Sequence, residues 1–542
     1  MTITTGGQLA VRPDSHTRKG LVLLALCSAA LIINIDVTIV NVALPSLVRQ
    51  LDATTTNLQW IIDAYTLVFA ALILAAGSLG DRLGRKGVLL LGLAVFALGS
   101  LAGALSDSPG QLIASRAVMG LGAAGIFPAT LSLIANVFSE RAERARAIGL
   151  WGATTGVGVA AGPILGGWLL EHFWWGSVFL FMVPVAGLIA AGIALVVPTS
   201  RDPEVAPLDW YGLVLSSAAM GTLVFAIIEA PNWGWGSRTT AAALALGLAL
   251  LAVFVAVERR RAHPMLDVRL FRNPRFSAAS GAIAVSFFTL AGFSFLITQY
   301  FQFVQGYSPL SAGLRLLPVA SSIAVASVVG TKLAVRVGNK AVVASGLALW
   351  ALALLWISTA DGSTPYLEIV GQMILGGGGL GLITAPATEA ILGAVPVEKA
   401  GVGSAVNDAT RLFGAALGVA VIGSVAASLY EHRLGATLPP DLPAQATAAA
   451  TSSLGGALVA AQRLADAGLA APAHALADAA VGAFLHAFRI SLRVASAVAL
   501  AGSVVAAVLL PSRPRAPEVS AADAAPVPGG GPDEVEDQAY AV

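Results

Sequence analysis

Fourteen stretches of this chain are apolar and about as long as a bilayer is thick, which leaves little sequence for anything else. In lipid, every backbone N–H and C=O has to be bonded inside its own segment, so a run of about 20 apolar residues is read as a spanning helix. The runs cover residues 20–42, 57–78, 87–106, 112–134, 147–170, 177–197, 209–230, 240–258, 276–298, 312–332, 341–358, 366–393, 404–429 and 489–510. The predicted fold class is therefore an all-α polytopic membrane protein with 14 transmembrane helices. An even number of spans puts both chain ends on one side. Only 11% of residues are charged, where a soluble domain carries roughly 25%. The first run begins near Leu21 with no small-residue cleavage pattern, and is expected to stay as a span.

Basic residues orient the bundle. With the N-terminus inside, cytoplasmic segments hold 22 Lys and Arg residues and outer loops hold 4, so the positive-inside rule predicts both termini in the cytoplasm. A net charge of +1 implies no nucleic-acid partner. A lone Cys27 supports neither a disulfide framework nor a thiolate metal site, and no cofactor or metal is expected. The segment from about 431 to 487 reads as the longest outer loop, alanine-rich, with one or two short helices. Residues 511–542, rich in Pro, Ala, Gly and acids, read as a disordered tail.

Charges inside the spans are costly and usually functional. Asp36 lies toward the outer half of span 1, with Asn41 five residues on, and Arg116 near the outer start of span 4. The two sit at similar depth in antiparallel helices and can form a pair that opens on protonation. Asp63 near the outer end of span 2 is a candidate acid or a solvated cap, and its neighbours Trp60 and Tyr65 suit an interfacial belt. Glu389 in span 12 is a candidate second acid. Asp408 and Arg411, three apart on span 13, can pair with each other. Small residues at Gly158, Gly162, Gly166 and Gly167 of span 5 allow close helix contact, with a bend at Pro163. Aromatic residues from Phe287 to Phe303 gather around span 9 and face either a cavity or lipid.

The loop after span 2 reads Gly77-Ser78-Leu79-Gly80-Asp81-Arg82-Leu83-Gly84-Arg85-Lys86. It resembles the signature loop of the major facilitator superfamily. Asp36 to Pro45 resembles the span-1 motif of the fourteen-span drug:proton antiporter family, Arg116 to Gly120 its span-4 motif, and Gly156 to Gly167 its span-5 antiporter motif. The second-half counterpart of the signature loop, residues 330–340, carries Val335 where an acid is often found.

The resemblance implies two six-helix bundles, at 20–197 and 276–510, with a cytoplasmic tail at 1–19 and two additional helices with a linker at 198–275. It implies proton-driven export of drugs, antibiotics or similar amphipathic small molecules. Asp36 and Arg116 would couple protons to transport, with Asp63, Glu389, Asp408, Arg411 and Asn41 along the path. Gly77, Asp81, Arg82, Gly84, Arg85 and Lys86 would form the conformational gate, and Gly158, Gly162, Pro163, Gly166 and Gly167 the moving interface. The expected partners are a small-molecule substrate, protons and the lipid bilayer, and one chain is expected to suffice. A narrow-substrate metabolite, lipid or siderophore exporter and an uptake permease are the alternatives. No catalytic or nucleotide-binding motif occurs, so an enzyme is not expected; Gly376 to Gly379 lacks the Lys-Ser/Thr ending of an ATP loop.

Overall fold

The computed structural model describes residues 15–200, 209–261, 264–395, 400–439 and 442–511. The expected tail after Pro511, most of the N-terminal tail, and the basic residues Arg201 and Lys399 lie outside them. All regular structure among the described residues is helical. Fourteen helices have the length and apolar content to cross a membrane: Lys19–Leu51, Thr55–Leu83, Arg85–Ala104, Pro109–Val137, Ala142–His172, Ser177–Val196, Trp210–Trp233, Arg238–Glu258, Pro274–Val304, Pro309–Val337, Asn339–Ile357, Tyr366–Leu392, Gly403–Gly435 and Ala470–Leu509. They are spans 1 to 14 below.

Helix starts are set by side-chain caps. The hydroxyls of Ser108, Ser237 and Ser308 and the carboxylate of Asp209 accept from the first-turn N–H groups of spans 4, 8, 10 and 7. Thr54 and Asn57 form a reciprocal capping box at span 2. The tight turns after spans 2 and 10 need a left-handed residue, supplied by Gly84 (φ 116°) and Gly338 (φ 89°).

Span 14 differs most from its sequence reading. It begins at Ala470, not near 489, and runs 40 residues. Alanine in a long apolar-poor segment resembles a loop by hydropathy, yet it is the best helix former. Here it lets the extension pack closely on a helix Leu454–Asp466, whose apolar stripe Leu454, Ala457, Ala461 and Leu464 is buried. That helix and a shorter one, Ala444–Ser452, are the regular elements between spans 13 and 14 among the described residues.

Spans 1 to 6 and 9 to 14 form two bundles with the same packing plan. In the first, span 1 lies on span 5 and span 4 on spans 2 and 3. In the second, span 9 lies on span 13 and span 12 on spans 10 and 11. The bundles meet through span 2 against span 13 and span 5 against span 10, which are equivalent pairs in this internal repeat. Span 7 packs over the seam between spans 2 and 13, and span 8 packs on span 7.

The seam is closed at one end. Gln59 Nε2 of span 2 donates to the carbonyls of Val419 and Ala420 and to Ser424 Oγ, at 3.1–3.2 Å. Gln302 Nε2 donates to Val42 O at 2.9 Å, and Thr55 Oγ1 to Ser452 O at 3.1 Å. The Leu310 N–H donates to Glu171 Oε1. All of these lie at the end away from the N-terminus. Toward the other end, Gly149, Gly152 and Gly156 of span 5 face open space, and Val325, Val329 and Val335 of span 10 are exposed. The arrangement is closed at the far face and parted at the face that carries the N-terminus.

Candidate functional site

Span 1 and span 4 bring Asp36 and Arg116 together. Arg116 Nη1 donates to Asp36 Oδ2 at 2.7 Å, and both residues are at most 1% exposed. Arg116 Nε donates to Ile61 O of span 2 at 3.1 Å, and its guanidinium lies 4.2 Å from the Tyr65 ring centre. The cation therefore has a charge partner, a carbonyl and a π face. Span 2 can come this near because position 120 of span 4 is glycine: a side chain there would overlap the Tyr65 carbonyl, at 2.5 Å from a β-carbon. Asp36 Oδ1 and the Tyr65 hydroxyl have no hydrogen-bond partner. The pair is thus held on the Arg116 side and under-satisfied on the Asp36 side.

Tyr65 is a site residue that its position near a helix end disguised. The belt expectation fails for it, because it is 1% exposed and turned onto Arg116. Trp60 is half-buried and turned onto span 7, where its ring nitrogen donates to Glu229 Oε1 at 3.1 Å. Glu229 therefore belongs to a contact between the additional helices and the bundle.

Asp63 is fully buried, and neither of its oxygens has a partner. A solvated cap is excluded. It lies four residues after Gln59, and so on the face of span 2 turned toward span 13 rather than on the Tyr65 face. It is a second buried acid, separate from the Asp36–Arg116 pair.

The other candidates bond within their own helix or to an adjacent one. Asn41 donates to Val37 O within its own helix. Glu389 is exposed and accepts from Asn339 Nδ2 at 3.2 Å. Asp408 and Arg411 pair within one helix at 4.0 Å, and Arg411 Nη2 also donates to Thr388 Oγ1 of span 12 at 3.0 Å. The guanidinium is 5.4 Å from the Phe287 ring. Of the span-9 aromatics, Phe293, Phe295, Tyr300 and Phe301 are core residues, so neither a cavity nor lipid accounts for them.

The signature loop ties three helices. Arg85 Nε donates to Asp81 Oδ1 at 2.7 Å across the turn, the Arg85 N–H donates to Ser200 O, and Lys86 Nζ donates to Ala194 O in the last turn of span 6. A cation on exposed terminal carbonyls is the favourable charge arrangement at a helix C-terminus. Gly77 packs next to Pro128 of span 4. Arg82 also has an interaction partner. The second-half loop replaces the ion pair with the Asn339–Glu389 bond, while Val335 is 86% exposed.

Span 5 is the middle of a sandwich. Gly158, Gly162 and Gly166, four residues apart, face span 1: a β-carbon at Gly158 would meet Asn34 Cβ at 2.9 Å, one at Gly162 would overlap Thr38 Oγ1, and one at Gly166 would meet Ile39 Cγ1 at 2.5 Å. The Pro163 carbonyl and Gly167 face span 10, where Gly313 and Leu310 press against them. The span-1 motif, the span-5 motif and the entry to span 10 thus form one stack at the closed end of the seam.

Residues 26–419 match the family model described as Major Facilitator Superfamily. The multidrug efflux pump LfrA of Mycolicibacterium smegmatis is 38% identical over 83% of this chain and 88% of its own length. The multidrug resistance protein Stp of Mycobacterium tuberculosis is 36% identical over 78% of each chain. The methylenomycin A resistance protein of Streptomyces coelicolor is 35% identical over 81% of this chain and 93% of its own. Among solved structures, an inward-facing, occupied bacterial homologue of the human lysosomal transporter Spinster shares the fold, with a TM-score of 0.65 at 16% identity over 90% of this chain and 97% of that one.

Proposed function

The chain belongs to the Major Facilitator Superfamily, and from that premise we propose that it exports amphipathic small molecules, drugs and antibiotics among them, across the cytoplasmic membrane in exchange for protons. The relatives named as efflux pumps support export. The observation that carries proton coupling is the fully buried Asp36–Arg116 pair with one carboxylate oxygen unbonded.

A proton on Asp36 removes the charge that holds Arg116, leaving the guanidinium with Ile61 O and the Tyr65 face. Asp36 shares span 1 with Thr38 and Ile39, which seat on Gly162 and Gly166, and the next residues of span 5 seat on span 10. A shift of span 1 is passed through tightly packed backbone to the seam between the bundles. Substrate enters from the cytoplasmic face, where the bundles are parted, and the Asp81–Arg85 loop steadies the state in which that face closes. Two bundles rocking about a central site is the expected exchange, and the membrane potential adds drive for each net charge moved. A monomer contains the whole path.

The test is drug-dependent proton movement in energised inverted vesicles. Adding ethidium or another exported compound to vesicles that contain the chain is expected to release protons from the lumen at a rate that saturates with drug. No proton movement alongside measurable export would sink the antiport reading. Relatives named for one antibiotic support a narrow-substrate exporter as the second reading. Export of only one structural class from a panel of dyes and antibiotics would favour it.

A further inference from the structure

At the closed face, where span 2, span 7, span 13 and the helix Ala444–Ser452 meet, a polar cavity of about 480 Å³ opens outward. Its walls include the carboxylates of Glu229 and Glu431 and the rings of Trp60 and Tyr430, and among the described residues no Lys, Arg or His side chain lines it. Glu229 is oriented by neutral donors only. Trp60 Nε1 reaches Oε1 at 3.1 Å and Asn232 Nδ2 reaches Oε2 at 2.9 Å, so its position is fixed while its negative charge is not countered. The start of span 2 also borders the cavity, but the Thr54–Asn57 box occupies N–H groups that an anion would need. Carboxylates beside an aromatic wall, in a volume within the range of small-ligand pockets, suit an organic cation.

We propose that this cavity is a second binding site, on the outer face, for a quaternary-ammonium-type organic cation, and that occupancy holds the seam closed. The proposal rests on the exporter reading only in its direction: the outer face is where exported cations accumulate. The walls come from both bundles and from span 7. Parting the bundles at this face takes the walls away from one another, so a ligand bound there favours the closed arrangement by its affinity difference between the two states. Rising external cation then slows turnover without competing at the cytoplasmic entrance. It also gives span 7 a role, as the helix that carries the fixed carboxylate.

The experiment is calorimetric titration of tetraethylammonium into the full-length chain in nanodiscs, with benzenesulfonate as the anionic control. Saturable binding of tetraethylammonium alone is expected, weakened about tenfold, as one lost charge contact implies, by Glu229→Gln and abolished by Glu431→Lys. Glu431 is exposed, so the second variant does not depend on the fold surviving a buried change. Spin labels on either side of the outer seam are expected to shift toward the short distance on binding. The proposal is overturned by absence of saturable binding, by affinity that falls with Asp36→Asn but with neither glutamate variant, or by binding with no change in label distance. Drug efflux from wild-type vesicles is scored separately: binding without efflux removes the exporter reading and keeps the site, and efflux without binding does the reverse.

Discussion

Asp36→Asn is expected to reduce drug-dependent proton movement in inverted vesicles to the level of vesicles that lack the protein, while drug binding is retained. Asparagine keeps the size of the side chain and an oxygen that can accept from Arg116 Nη1, so the three-helix contact of spans 1, 2 and 4 persists. What it cannot do is gain and lose a proton. Arg116→Ala is expected to be equally inactive for a different reason. It removes the partner of a carboxylate that is 0% exposed, together with the bond to Ile61 O and the ring contact with Tyr65. Breaking one side of a buried ion pair typically costs about 3–5 kcal/mol, so a clear fall in thermal stability in detergent should accompany the lost transport. The two variants thus separate by stability and not by activity. Coupled transport that survives Asp36→Asn would exclude Asp36 as the carrier and leave Asp63, the other fully buried acid of the first bundle, as the next to replace.

The spans were legible in the sequence because bilayer thickness converts directly into run length, and the fourteen apolar runs correspond to the fourteen helices of the structure. Span 14 was misplaced at its start because hydropathy scores alanine weakly, while helix formation and close packing both favour it. The depth of a charge could be read from its place along a span, and this is why Asp36 and Arg116 could be matched. Azimuth could not be read in the same way. Asp63 and Tyr65 are two residues apart, yet one turns toward span 13 and the other onto Arg116, and the difference follows from which helices flank span 2. The glycine stripe of span 5 was legible as a contact surface from its spacing of four. That its two sides serve different partners, span 1 and span 10, depends on the bundle arrangement. Glu389 was legible by depth alone: the structure bonds it to Asn339 Nδ2 of span 11, a partner that its place along span 12 could not indicate.

Gly313→Val is expected to stop export by preventing closure of the outer seam. Position 313 lies in the first turns of span 10 with its Cα against the Pro163 carbonyl of span 5, and a β-carbon there would overlap that oxygen. The clash is with backbone, so no side chain can swing away to relieve it. The residue has no positive φ, and the helix itself accepts a substituted residue without strain. The cost therefore falls on the closed seam and is absent when the bundles part at this end. Overpacking of this kind costs about 1–3 kcal/mol, enough to shift a two-state equilibrium by roughly 5- to 150-fold. Gly313→Ala should lie between wild type and valine. Nitroxide labels at Phe173 and Leu367, both exposed and on opposite bundles at this face, can be placed in a Cys27→Ser background, since Cys27 is the chain's only cysteine. The distance between them should lengthen in the order wild type, alanine, valine, and efflux should fall in the same order. Equal distances in all three, with efflux intact, would mean that the span 5–span 10 contact can move without controlling the seam, and the path from Asp36 through Gly162 to Gly313 would lose its last step.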